Sequence, residues 1–174
     1  MLNATVAVLL VLSAAGVAYL ALAAPLRPRV PQLAFLLVAA FLLLNKVWSP
    51  QYSLWLLPLV VLARPRWRSL LLWQATEALV WAMTMLYYLG AENRGVRVEW
   101  FYLAVGLRDV AVVVLMGLVV REVWHPDADL VRRSWPGTDD PAGGFLDGAV
   151  DRYVWPRRRP QPARASRSST ISSA

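Results

Sequence analysis

The chain has 174 residues, 58% of them apolar, with a mean hydropathy of +0.46; this is enough for one domain, and the apolar residues come in long blocks rather than in the short periodic stripes of a water-soluble core. The absence of cysteine excludes disulfides, thiol chemistry and Cys-ligated metals. The formal charge of +7 is concentrated in short connections and in the C-terminal tail, a placement that points to membrane loops and away from nucleic acid.

Residues 4–24 form an uncharged run of 21, long enough to span a bilayer. A secretory signal is the rival reading, because Ala21-Leu22-Ala23 imitates a cleavage site. A span is favoured, because Met1-Leu2-Asn3 supplies no basic leader and Arg27 and Arg29 follow the run as a stop-transfer would. A basic turn at Arg27-Pro28-Arg29 leads into the apolar run 30–44. A second apolar helix is expected over 51–63, interrupted by Pro58, and a second basic turn follows at Arg64-Pro65-Arg66-Trp67-Arg68. Apolar runs over 70–89 and 100–120, separated by the polar stretch Gly90 to Glu99, complete five expected transmembrane helices. The fold class read from this pattern is all-α and polytopic. Residues 121–174 are expected to be a basic, mostly disordered cytoplasmic tail, rich in Pro, Gly, Ser, Asp and Arg.

Within that tail, Asp127-Ala128-Asp129 beside His125 imitates an acidic metal-binding motif. That motif needs an α/β nucleotide-binding domain, which nothing here supplies, so a solvated tail is expected and no metal or cofactor is assigned. The arginines at 152, 157–159, 164 and 167 are expected to attract anionic membrane lipids.

The stretch that organises the chain is Asn45-Lys46-Val47-Trp48-Ser49-Pro50-Gln51-Tyr52-Ser53-Leu54-Trp55. The uncharged runs on either side, 15 and 10 residues long, fall short of the roughly 30 Å of a bilayer core at about 1.5 Å per residue. Its polar groups are therefore expected at or below headgroup level, a depth that tolerates such backbone only around a cavity or inside protein. Lys46 is the single lysine among 18 basic residues, and a compact ammonium suits a phosphate oxygen. Asn45, Ser49, Gln51 and Tyr52 could complete an anion pocket with neutral donors. The alternative is an interfacial belt in which Trp48, Tyr52 and Trp55 sit at the headgroups and Lys46 snorkels to water.

The pattern Asn45-Lys46-x-x-Ser49-Pro50-Gln51-Tyr52-x-x-Trp55, followed by Leu56-Leu57-Pro58-Leu59, resembles a segment from the C-terminal half of the actinobacterial membrane glycosyltransferases of family 87. These are GT-C fold enzymes similar to mannosyltransferases that depend on polyprenyl-phosphomannose. The resemblance is specific over about a dozen residues. It implies the C-terminal portion of an enzyme that moves a sugar, mannose by this likeness, from a polyprenyl-phosphate carrier to an extracytoplasmic lipid or glycan acceptor. Asn45, Lys46, Ser49, Gln51, Tyr52 and Trp55 would bind the donor: Lys46 as the cation, Asn45, Ser49 and Gln51 as donors, Tyr52 or Trp55 against sugar or prenyl chain. The family's general base is an Asp in the first extracytoplasmic loop, to which no residue here corresponds. No catalytic residue is assigned, and activity is expected to need a separately encoded N-terminal half.

Orientation follows from charge. Placing both basic turns and the tail inside puts 14 of the 18 Lys and Arg on the inner side, with the N-terminus extracytoplasmic, the C-terminus cytoplasmic and the motif outside. Glu77 and Arg108-Asp109 fall inside the last two expected spans, where an interhelical Glu77–Arg108 ion pair is expected. Two further readings stay open: a non-catalytic membrane protein, either remnant or subunit, and a small transporter built on Glu77 and Arg108.

Overall fold

The structure is a computed structural model in which residues 2–45, 51–90, 95–136 and 140–141 are described. Helices account for nearly all of them, and no strand occurs among the described residues. In chain order they are α1 (Leu2–Ala23), α2 (Val30–Leu44), α3 (Gln51–Ala63), α4 (Trp67–Leu89), α5 (Val98–Trp124), a 3₁₀ turn at Pro126–Ala128, and α6 (Leu130–Ser134).

Local chemistry sets the ends of these helices. α2 begins behind extended Arg29, with Pro31 in its first turn and the Gln32 side-chain oxygen accepting from the Arg29 N–H at 3.0 Å. α3 carries Pro58 in its interior, so the Leu54 carbonyl loses its helical N–H partner. α4 stops at Gly90, whose φ of 75° suits a residue without Cβ. The return to α5 is tied by Gly95 N–H to the Gly90 carbonyl at 2.9 Å and Val96 N–H to the Leu86 carbonyl at 3.3 Å.

The core lies among α2, α3 and α5, with one residue from α4. Phe35, Leu36, Ala39 and Leu42 recur at helical spacing on α2; Leu56, Val60 and Ala63 do so on α3, and Val112, Leu115 and Val119 on α5. Trp73 of α4 fills the space between them. α4 and α5 form an antiparallel pair, and α1 packs chiefly on α2. The outer surface is apolar as well: Leu54, Leu62, Leu71, Leu72, Val110 and Val113 all point away from the core. Helices apolar on all sides belong to a membrane or to the interior of a larger assembly.

Two helices, α1 over Ala4–Ala23 and α5, are long and apolar enough to cross a membrane; α2 and α3 are apolar but shorter, at 15 and 13 residues. α4 has 23 residues but carries Arg68, Gln74 and Glu77. Two of the five expected spans therefore meet that standard on length and composition.

The chain after residue 120 departs from the expectation of a solvated tail. α5 continues to Trp124, and residues 125–136 fold back as the 3₁₀ turn and α6. Asp129 is 1% exposed instead of solvated. The physical reason is charge: the two basic turns present guanidinium groups at this end of the bundle, and Glu122 and Asp129 neutralise them. The expectation for residues 142–174 lies outside the described residues.

Candidate functional site

A groove of about 430 Å³ opens between the C-terminal end of α2, the second half of α4 and the first half of α5. Its polar wall consists of Asn45, Glu77, Thr84, Arg108 and Asp109. Trp81, Tyr88, Phe101 and Tyr102 form an aromatic rim, where the rings of Tyr87 and Phe101 stack with centroids 5.5 Å apart across the α4–α5 pair.

The charges inside the groove are arranged differently from the expected interhelical pair. Arg108, buried, donates from Nε at 3.1 Å and from Nη2 at 2.9 Å to Oδ1 of its neighbour Asp109. Glu77 instead accepts from the Trp73 indole N–H, one turn earlier on α4, at 3.1 Å. Glu77 and Arg108 remain within electrostatic reach of each other, but Asp109 takes the direct ion pair. An arginine can reach the adjacent carboxylate on its own helix without ordering a second helix, which favours the local pair. The Ser53 hydroxyl of α3 is buried, makes no geometrically sound hydrogen bond among the described residues, and is turned toward Glu77.

The sequence-predicted site residues divide between two places. Asn45 ends α2, its N–H reaching back to the Leu42 carbonyl at 3.3 Å, and lines the groove. Gln51, Tyr52 and Trp55 begin α3 at the same end of the bundle but are not among the groove walls. Tyr52 and Trp55, one turn apart, pack with ring centroids 5.1 Å apart at an interplanar angle of 52°; Tyr52 also leans on the core, while Trp55 and Gln51 are exposed. Lys46 and Ser49 lie outside the described residues.

The opposite end of the bundle holds a knot of charge that sequence reasoning missed. Arg29 and Asp129, 2% and 1% exposed, pair in two-pronged fashion at 2.8 and 3.1 Å. The same guanidinium donates to the Leu62 and Ala63 carbonyls at 2.8 and 2.7 Å, closing the C-terminal end of α3. Gln32 donates to Asp129 at 3.1 Å, and Asp129 caps α6 by accepting the Val131 N–H. Arg132 donates to the Arg27 carbonyl, and the Val30 N–H donates to Asp140 at 2.9 Å. Beside this group, Glu122 meets Arg64 at 2.7 Å and Arg66 at 3.3 Å, and Arg66 also donates to the Ala128 carbonyl. Burial pushes the Arg64 guanidinium below its ordinary value, and Glu122 opposes that shift.

A signal for this knot was present. Two basic turns that a helical hairpin must bring to one end, followed by an Asp directly before Leu130-Val131, are complementary in charge and suited to capping. Within Asp127-Ala128-Asp129, Asp129 thus acts as a helix cap and an ion-pair acceptor, while Asp127 is exposed. Among the described residues, no group of three His, Cys, Asp or Glu side chains is placed to hold a cation. No family model, curated protein or solved structure matches the chain.

Proposed function

We propose that this chain is a polytopic membrane protein that binds a polyprenyl-phosphate-linked sugar, as the donor-binding C-terminal part of a GT-C type glycosyltransferase. The observation that carries the reading is the position of Asn45. It belongs to the motif that resembles family 87 and also lines a mixed polar and aromatic groove at one end of an apolar bundle. The five-span arrangement, with the motif outside the cell and the C-terminus inside, is part of this proposal and draws on the charge asymmetry between loops.

In the transfer, the bond from the sugar's anomeric carbon to the phosphate oxygen breaks and its electron pair stays on the phosphate. The acceptor oxygen bonds to that carbon, and its proton passes to a base supplied by the N-terminal half. Lys46 would meet the charge developing on the phosphate, with Ser49 and Gln51 donating beside it. A second reading, a non-catalytic membrane subunit, is favoured by one observation: both groove carboxylates already have partners, Asp109 in Arg108 and Glu77 in Trp73.

Binding of a polyprenyl phosphate to the purified chain in lipid nanodiscs, together with the partner half where one is encoded nearby, tests the proposal. Lys46→Ala should weaken binding by about 1.5–3 kcal/mol, the worth of a charge-assisted contact, and Lys46→Arg should restore only part of it. Equal binding by wild type and Lys46→Ala ends the phosphate role and leaves the interfacial belt.

A further inference from the structure

We propose that the end of the bundle opposite the motif binds anionic phospholipids, with Arg68, Arg121 and Arg133 meeting headgroup phosphates and the apolar outer faces of α4 and α5 lying along the acyl chains. This rests on the membrane-embedded part of the reading above and is independent of the sugar donor, because Asn45 and Gln51 lie at the other end.

Positive charge is in excess here. Among the described residues, positions 27–29, 64–68, 121 and 132–133 supply eight arginines, against the four carboxylates of Glu122, Asp127, Asp129 and Asp140. Glu122 and Asp129 are already engaged by Arg29, Arg64, Arg66 and Arg132. Arg68, Arg121 and Arg133 are exposed and form no ion pair among the described residues. The contact of Arg66 with Glu122 at 3.3 Å joins the start of α4 to the end of α5, so Arg68 and Arg121 stand near one level of the bundle. Asp129 caps α6 and pairs with Arg29, which holds Arg133 at the same end.

Two of these arginines end apolar stripes. On α4, Trp67 and Arg68 stand one turn before Leu71 and Leu72 on the same faces, and all four are exposed. On α5, Val110, Val114 and Arg121 recur at spacings of four and seven on one exposed face, and exposed Trp124 follows a turn later. An apolar stripe that closes in tryptophan and arginine matches the layers of a phospholipid: acyl chain, interface and phosphate. The guanidinium fork suits a phosphodiester. A zwitterionic headgroup adds an ammonium that the surplus charge repels, whereas an anionic headgroup does not. A soluble polyanion could meet the arginines but would leave Leu71, Leu72, Val110 and Val114 in water.

Spin-labelled phosphatidylglycerol and phosphatidylcholine, each at trace level in phosphatidylcholine bilayers holding the full chain, test the assignment through the fraction of label whose motion the protein restricts. Phosphatidylglycerol should be favoured by about fivefold, and the preference should shrink at high salt. Arg68→Gln, Arg121→Gln and Arg133→Gln combined should remove most of it, and Arg68→Gln alone should remove part. Lysine at the same three positions should keep it, which separates loss of charge from loss of fold. Glutamine in place of the arginines at 152, 157–159, 164 and 167 should leave most of the preference intact. The proposal is overturned if the embedded chain shows no preference, if the triple Gln variant keeps the wild-type preference, or if the tail substitutions abolish it. Displacement of the labelled lipid by inorganic phosphate at constant ionic strength would also overturn it, in favour of a site for the free ion. A chain that does not enter bilayers sinks the membrane reading and this inference together, whereas an embedded chain without preference sinks this inference alone.

Discussion

Among the described residues, Arg29 makes four side-chain hydrogen bonds: two to Asp129 and one each to the Leu62 and Ala63 carbonyls. Removing either member of a buried pair strands the other charge, at about 3–5 kcal/mol, whereas removing both with apolar replacements is far cheaper. Arg29→Met and Asp129→Leu should therefore each lower thermal stability in nanodiscs sharply, and the double variant should recover much of the loss; strictly additive losses would show the two are not partners. Arg108 and Asp109 call for the same cycle. Arg108→Gln alone should leave Asp109 uncompensated, and Asp109→Asn on that background should restore stability in part. Glu77→Gln on the same background should restore less, because Trp73 still donates to the amide oxygen. Residue chemistry was only half legible in the sequence. Arg108 and Glu77 were recognisable as charges needing partners, but the choice between a neighbour on the same helix and one on the next turns on side-chain reach, which spacing does not encode.

At the scale of elements, the five apolar runs became five helices because each is bounded by residues that end one: Arg-Pro-Arg turns, Gly90, and the polar stretch before Gln51. Such punctuation is local and can be read from sequence. The folding back of 125–136 was not, because its stabilisation comes from Arg29, Gln32 and Arg66, far away along the chain. A Pro-, Asp- and Arg-rich segment reads as solvated until its counter-charges are placed. The α4–α5 return offers a clean test. A Cβ on Gly95 would fall against the Leu86 and Gly90 carbonyls, both backbone, so Gly95→Ala should cost about 1–3 kcal/mol in a thermal melt, while Gly106→Ala, with open space around it, should cost nothing measurable.

For the molecule as a whole, the two ends of the bundle differ in kind. One carries the motif, the groove and an aromatic rim; the other carries the charge knot. Reporter fusions active only in the periplasm should work after Gln51 or Arg94 and fail after Arg66 or Arg132, and the opposite pattern would put the motif inside the cell. The pairing of Arg29 with Asp129 also imposes an order of events. One hundred positions separate the partners, so during synthesis Arg29 and Gln32 emerge and must wait until nearly the whole helical bundle has been made. Until then Arg29 can meet the last carbonyls of α3 but lacks the carboxylate that neutralises it. Closure of the knot is thus a late event, open only to a chain already made as far as Asp129.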